Sequence, residues 1–173
     1  MSTTERREDP LVSYLLKIEE AQDRATLATL RGSLREGHAL DALRVVLTVL
    51  PREESTRKQR QTEDDAILLA GLFALHPSDG PLSLASALRL LGATSDSVEL
   101  RFRALLGAHR SDLPTHLRHA VSLVAGAGHP IDWTNLRRAI RDWAREDDRV
   151  RREWSRDFWA REAPRDSAPS HTD

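Results

Sequence analysis

At 173 residues the chain has the length of one compact domain or of two small helical lobes, and its net charge of −1 advertises no global affinity for nucleic acid. Hydrophobic residues make up 39% and charged residues 31%, which implies an economical core with wet outer faces. The absence of cysteine excludes disulfide scaffolds, Cys-ligated zinc and thiol catalysis; residues 1–10 lack an apolar signal-peptide core, and the longest apolar run, Ala66 to Leu75, is half a membrane span, so the expectation is a soluble cytoplasmic protein without membrane contact.

Nearly every segment between the tails reads as helix. Residues 1–9 and 163–173 are polar and read as disordered tails. Asp9 and Pro10 form an N-cap and first-position pair that opens an amphipathic segment with Leu11, Tyr14, Leu15 and Ile18. A short helix from Arg24 to Leu30 stops at Gly32, and the next runs from about Leu40 to Leu50, ending at Pro51. Residues 51–61 are polar and aperiodic and read as a loop. Thr62 with Asp65 resembles a capping box, after which Ala66 to Leu75 forms a buried helix.

His76 to Leu82 contains Pro77, Gly80 and Pro81 and reads as a linker. Ser83 to Leu91 is a helix with Gly92 as its stop. Asp96 opens another to about His109, and Asp112-Leu113-Pro114 starts one that ends in the Gly126, Gly128, Pro130 cluster. The expectation is an all-α fold of about eight helices. Two small bundles, residues 10–76 and 83–160, pack into one elongated protein.

All four tryptophans fall in the last 41 residues, in an arginine-rich stretch that starts after Asp132, an N-cap signal. On a helical wheel Trp133, Leu136, Ile140, Trp143, Val150, Trp154 and Phe158 gather in an arc of roughly 100°. Arg138, Arg141, Arg145, Arg149, Arg152 and Arg156 gather in a second arc about 80° wide, and Asp142, Glu146, Glu153 and Asp157 occupy a third sector. The aromatic seam reads as core; Trp159, off the seam, is the one candidate for base stacking. A continuous helix from Trp133 to Trp159 would be roughly 40 Å long. Asp147 lands on the apolar arc, so a bend or break is expected near Glu146 to Asp148.

The usual catalytic signatures are missing. Neither Lys17 nor Lys58 has a phosphate-loop context, and no Gly-x-Gly-x-x-Gly, Gly-x-Ser-x-Gly or His-Glu-x-x-His motif occurs. His116 and His119 would need a third metal ligand, and Glu63, Asp64 and Asp65 read as ordinary first-turn acids. No catalytic residue, metal site or cofactor is nominated.

What remains is arginine on helices. Of 26 basic residues, 24 are arginine, whose planar fork suits phosphate. From Arg101 to Arg141 seven arginines stand against two aspartates, a local net of +5. If those helices pack side by side, their outer faces form a basic surface that binds a strand without reading its sequence. The alternative is a solvated face with i,i+4 pairs such as Arg138–Asp142 and Arg149–Glu153.

Three blocks carry a resemblance. One is Ala25-Thr26-Leu27-Ala28-Thr29-Leu30-Arg31-Gly32. The second is Arg101-Phe102-Arg103-Ala104-Leu105-Leu106 followed by Leu113-Pro114 and Leu117-Arg118. The last is Ile131-Asp132-Trp133 leading into Leu136, Trp143, Trp154 and Phe158-Trp159. In joint order and length, over roughly residues 10–160, the chain resembles the CasB family, the small subunit of the type I-E CRISPR effector complex Cascade. A single Arg31 precedes Gly32 where family members often carry a pair.

The resemblance implies a helical protein without catalytic activity that works inside Cascade. Its implied partners are the backbone and large subunits, a second copy of itself, the guide RNA ribonucleoprotein and target DNA, including the displaced strand of the R-loop. It carries a nucleic-acid role onto Arg24, Arg31, Arg101, Arg103, Arg110, Arg118, Arg137, Arg138 and Arg141, with Arg101, Arg110, Arg118 and Arg138 foremost. The other readings are a free-standing helical DNA-binding regulator, a structural adaptor, and a metal-dependent enzyme using Glu63 to Asp65 or the histidines.

Overall fold

A computed structural model describes residues 9–35, 37–92 and 95–160. Among them lie nine helices and one isolated extended pairing, Asp79 with Ile131, so the fold is all-α. The two tails expected to be disordered lie outside the described residues, apart from Asp9.

Asp9 starts the first helix, α1 (Pro10–Glu20). Its carboxylate accepts from the backbone N–H of Leu11 at 3.0 Å and of Val12 at 3.2 Å, and Pro10 has no N–H to satisfy. Leu11, Val12, Leu15 and Ile18 are buried along one face. α2 (Arg24–Gly32) begins the same way, with Asp23 accepting from Thr26 N–H at 3.0 Å, and buries Leu27 and Leu30. α3 (Ala39–Val46) ends four residues before the expected Leu50, and the chain turns through 47–50 into Pro51.

α4 (Thr56–Leu75) corrects the sequence reading. The stretch 51–61 is not all loop: the helix starts six residues before Thr62, capped by Ser55, whose Oγ accepts from Lys58 N–H at 3.3 Å. Thr62 is no cap; its hydroxyl donates to Glu53 at 3.2 Å, and Gln59 accepts from the Glu53 N–H at 2.7 Å, tying the preceding loop to the helix. The first turns carry no apolar stripe because Thr56, Arg57, Lys58, Arg60 and Gln61 all face water. Arg, Lys and Gln are good helix formers, so propensity holds where periodicity is silent. From Asp65 to Ala74 the helix is buried nearly all round, as befits a central element.

α5 (Leu84–Gly92), α6 (Asp96–Leu106) and α7 (Leu113–Ala127) follow. Gly128, at φ 73°, ends α7 in the left-handed conformation that glycine adopts without steric cost. The linker 76–82 is stitched to the loop before the next helix. Gly80 N–H donates to Ile131 O at 3.0 Å, Ile131 N–H to Ser78 O at 3.1 Å, and Asp132 N–H to Leu82 O at 2.7 Å. The backbones come so close that a Cβ on Gly80 would lie 2.6 Å from the Pro130 Cβ.

The last segment is two helices, not one. α8 (Trp133–Asp142) and α9 (Arg149–Trp159) are separated by residues 143–148. The break falls where Asp147 interrupts the apolar arc, and Asp148 takes a left-handed φ of 51°. All seven seam residues are buried nonetheless. Trp133 Nε1 donates to Ser78 O at 3.1 Å, and its ring meets Phe73 edge-on at 5.3 Å. Trp143 Nε1 donates to Ala108 O at 3.1 Å and its ring meets Trp154 at 5.4 Å, so both of these buried indole N–H groups have a partner. Arg151 clamps the break. It lies 4.8 Å over the Trp143 ring and donates to the carbonyls of Leu106, Trp143 and Ala108.

α4 packs against α2 and α3 on one side and α7 and α8 on the other, while α5 meets α6, α7 and α9. One continuous apolar cluster therefore runs from Leu11 to Phe158.

Candidate nucleic-acid interface

Burial divides the nine candidate arginines. Arg24, at the first position of α2, Arg101 on α6 and Arg118 on α7 are exposed, and their side chains make no hydrogen bond or ion pair with another described residue. Arg31 is also exposed, but its Nε donates to Ala74 O at 3.0 Å, at the C-terminal end of α4 where unpaired carbonyls favour a cation. Arg103 pairs with Glu99 one turn earlier at 2.9 Å. Arg141 holds its neighbour Asp142 at 3.0 Å, and Arg138 reaches Glu153 on α9 at 3.6 Å. The expected i,i+4 partner of Arg138, Asp142, is thus engaged by Arg141 instead.

Two candidates are partly buried and tied to internal partners. The guanidinium of Arg110 pairs with the buried carboxylate of Asp65 and donates to the Ile140 carbonyl, joining the loop after α6 to α4 and to the end of α8. Burial holds its pKa below the ordinary arginine value, and Asp64 opposes that shift. Arg137 is 13% exposed and sits 3.8 Å from Asp9, tying α8 to the start of α1. Burial depresses its pKa; Asp9 opposes the shift and Arg141 adds to it. Internal partners position both guanidiniums, Arg137 at 13% and Arg110 at 28% side-chain exposure.

The helices bring some of the remaining candidates together and keep others apart. α6 packs on α7, placing Arg101 beside His116 and His119 and on the same helix pair as Arg118. α8 packs mainly on α4, α1 and α9, so Arg138 and Arg141 sit with the arginines of α9, not beside α6. Arg138 shares a groove with Arg149, Asp142 and Glu153, a surface of mixed charge. Arg24 and Arg31 lie on α2, whose neighbours are α1, α3 and α4. The helix contacts thus distribute the candidates over α2, the α6–α7 pair, and α8 beside α9.

Every arginine of the second wheel arc, from Arg138 to Arg156, is exposed, on α8, on α9 and in the expected break between them. The structure adds cations that the sequence reading passed over. Arg57 and Arg60, exposed on the first turns of α4, line a shallow depression with Gln61 and Asp64. Ser55 three residues before Lys58 was the only local signal for them, and Lys58 is not the Glu or Gln of a capping box.

The acids that a metal-dependent enzyme would need to converge do not do so. Asp65 is turned inward to Arg110, Glu63 accepts from Gln59 at 2.7 Å, and Asp64 faces solvent. Trp159 is 42% exposed and lies between Phe102, at 5.3 Å edge-on, and the Arg103 guanidinium, 6.0 Å from its ring centre. Among the described residues no helix is long and apolar enough to cross a membrane.

Known proteins share both the sequence pattern and the helical architecture. The family model of CRISPR-associated protein Cse2 matches residues 26–159. A CRISPR-associated protein Cse2 of Thermus thermophilus is 38% identical over 103 residues, a segment spanning 58% of this chain and 59% of that relative. The matched segment is thus less than two thirds of the relative's length. The crystal structure of a Cse2-family protein from Thermus thermophilus superposes with a TM-score of 0.77 at 28% identity, covering 93% of this chain and 100% of that one. A chain of a solved CRISPR RNA-guided surveillance complex shares the fold, with a TM-score of 0.59 at 23% identity over 84% of this chain and 92% of its own. With the family model spanning α3 to α9 in full and most of α2, the chain belongs to the CRISPR-associated Cse2 family, also called CasB.

Proposed function

We propose that this chain is the non-catalytic small subunit of a type I-E Cascade complex in the cytoplasm, where its exposed arginines hold target DNA and the displaced strand of the R-loop. The observation that carries the reading is the pair Arg101 and Arg118, exposed and without a partner among the described residues, on adjoining helices α6 and α7. An arginine face of this kind binds phosphates without reading bases. Guide pairing is nearly balanced against the duplex it replaces, so a modest gain from holding the freed strand moves the equilibrium toward the open state. Arg103 lies on α6 with Arg101, while Arg24 and Arg31 on α2 and Arg138 and Arg141 on α8 offer further cations on other helices. Arg110 and Arg137 support the fold through their internal partners.

The partners in this reading are the backbone and large Cascade subunits, a second copy of the chain, the guide RNA ribonucleoprotein and target DNA. Membership of the Cse2 family and the shared fold with a surveillance-complex chain support it. The divergent acids at 63–65 favour a binding role over a nuclease. The test is reconstitution. A tagged chain should co-purify with the other subunits and guide RNA, and complex lacking it should open target duplex less completely, read by permanganate reactivity of displaced thymines. A chain that purifies alone, or opening that is unchanged without it, would overturn the proposal.

A further inference from the structure

Between α6 and α7 the surface opens into a cleft of about 170 Å³. Its floor is apolar: Leu88 from α5, Phe102 and Leu105 from α6 and Ala120 from α7, each at most 6% exposed. Ala104 and Ala120, one from each helix, are small side chains in its lining. Its mouth carries Arg101 and Ala104 on the α6 side and His116 and His119 on the α7 side. Among the described residues no acidic one lines it. An apolar slot with an arginine and two imidazoles at its rim has a chemical complement, a flat ring that carries hydrogen-bonding edges and is attached to an anion.

Size narrows the ring. A cavity of about 150 Å³ lined by aliphatic and aromatic side chains holds one benzene. Drug-sized ligands need clefts of roughly 300 Å³ or more. The cleft therefore admits one six-membered ring and little else. Unpaired strands offer such rings at every nucleotide, and a base loses little by leaving a stack that is already broken.

We propose that the cleft accepts a single pyrimidine-sized base of an unpaired nucleic-acid strand, with the adjoining phosphate on Arg101 and the base edge facing the imidazoles of His116 and His119. The inference rests on the nucleic-acid reading above but asks more of it. Phosphate contact alone is indifferent to whether bases are present, whereas this cleft is not. It gives the surface a preference for single strands over duplex, whose bases are stacked and turned inward.

Equilibrium binding of the full chain to oligothymidine and to an abasic oligonucleotide of equal length separates the two claims. Oligothymidine should bind at least five-fold more tightly. Ala104 is exposed, so Ala104→Phe fills the mouth without disturbing the core, which a thermal melt matching the parent verifies. In that variant the difference between the two oligonucleotides should disappear. Arg101→Gln should weaken both. Equal binding of the two by the parent overturns the cleft proposal and leaves the phosphate reading standing, while absence of binding to either overturns both. If Ala104→Phe keeps the base preference but loses association with the other Cascade subunits, the cleft seats a protein side chain and the proposal fails.

Discussion

Replacing Arg110 by alanine should destabilise the protein while leaving its outer basic surface in place. Asp65 is 3% exposed, and apart from Arg110 its carboxylate has the side-chain amide of Gln61 at 2.9 Å. Without the guanidinium a buried carboxylate is left with one neutral donor, and the Ile140 carbonyl loses its side-chain donor. Removing one partner of a buried ion pair costs about 3–5 kcal/mol, and the Gln61 contact places this case near the lower end. For a chain of this size each kcal/mol moves the melting temperature by about 2–4 °C, so a loss of about 3 kcal/mol lowers it by roughly 6–12 °C. With a urea m-value of about 2 kcal/mol/M the unfolding midpoint falls by roughly 1.5 M. Arg118→Ala, at an exposed position, should stay within about 0.5 kcal/mol of the parent. Adding Asp65→Leu to Arg110→Ala should recover part of the loss, because no unpaired charge then remains inside. A melting temperature for Arg110→Ala within about 2 °C of the parent, with DNA binding several-fold weaker, would refute the reasoning and return Arg110 to the surface.

Three further outcomes concern other parts of the structure. Trp133→Ala removes a fully buried indole together with its bond to Ser78, and urea unfolding should report a loss of about 3–5 kcal/mol. Gly80→Ala forces a Cβ to within 2.6 Å of Pro130 and should cost about 1–3 kcal/mol, whereas Gly126→Ala meets nothing within 4 Å and should raise the melting temperature. Hydrogen bonds from the Arg145 side chain, then from Arg149 N–H, hold the Asp147 carboxyl below the ordinary carboxylate value. Its contribution is therefore complete at neutral pH and is lost as pH falls through that lowered pKa. Amide exchange at the start of α9 should accelerate in that acid window, and Asp147→Asn should remove the pH dependence.

What the sequence discloses depends on how local the cause is. Asp9 and Asp132 announce helix starts because a capping carboxylate acts within three residues of itself, and Asp23 caps α2 in the same way. The Trp133 to Phe158 seam is legible because periodicity survives even the break at Asp148, which Asp147 betrays by its place on the apolar arc. The first turns of α4 are illegible by the same logic: a helix segment that water surrounds has no stripe to read. The site is harder. Arg110 and Arg118 look alike in sequence, both beside histidine and among small helices. Asp65, 45 residues away, ties one down in a part-buried ion pair and leaves the other exposed. Exposure is a property of the packed chain, so the sequence can nominate arginines but cannot sort them. The cleft between α6 and α7 is equally hidden, since its lining comes from three helices, α5, α6 and α7, brought together only by packing.

The most direct test of the account is a salt series for single-stranded DNA binding by the parent and by Arg101→Glu with Arg118→Glu. Each phosphate contact contributes about 0.7 to the slope of log affinity against log salt on a single strand. The double charge reversal should therefore weaken binding and flatten that slope by roughly 1.4, with the melting temperature unchanged. Parent-like affinity and slope in the double variant would contradict the claim that the exposed arginines of α6 and α7 hold the strand.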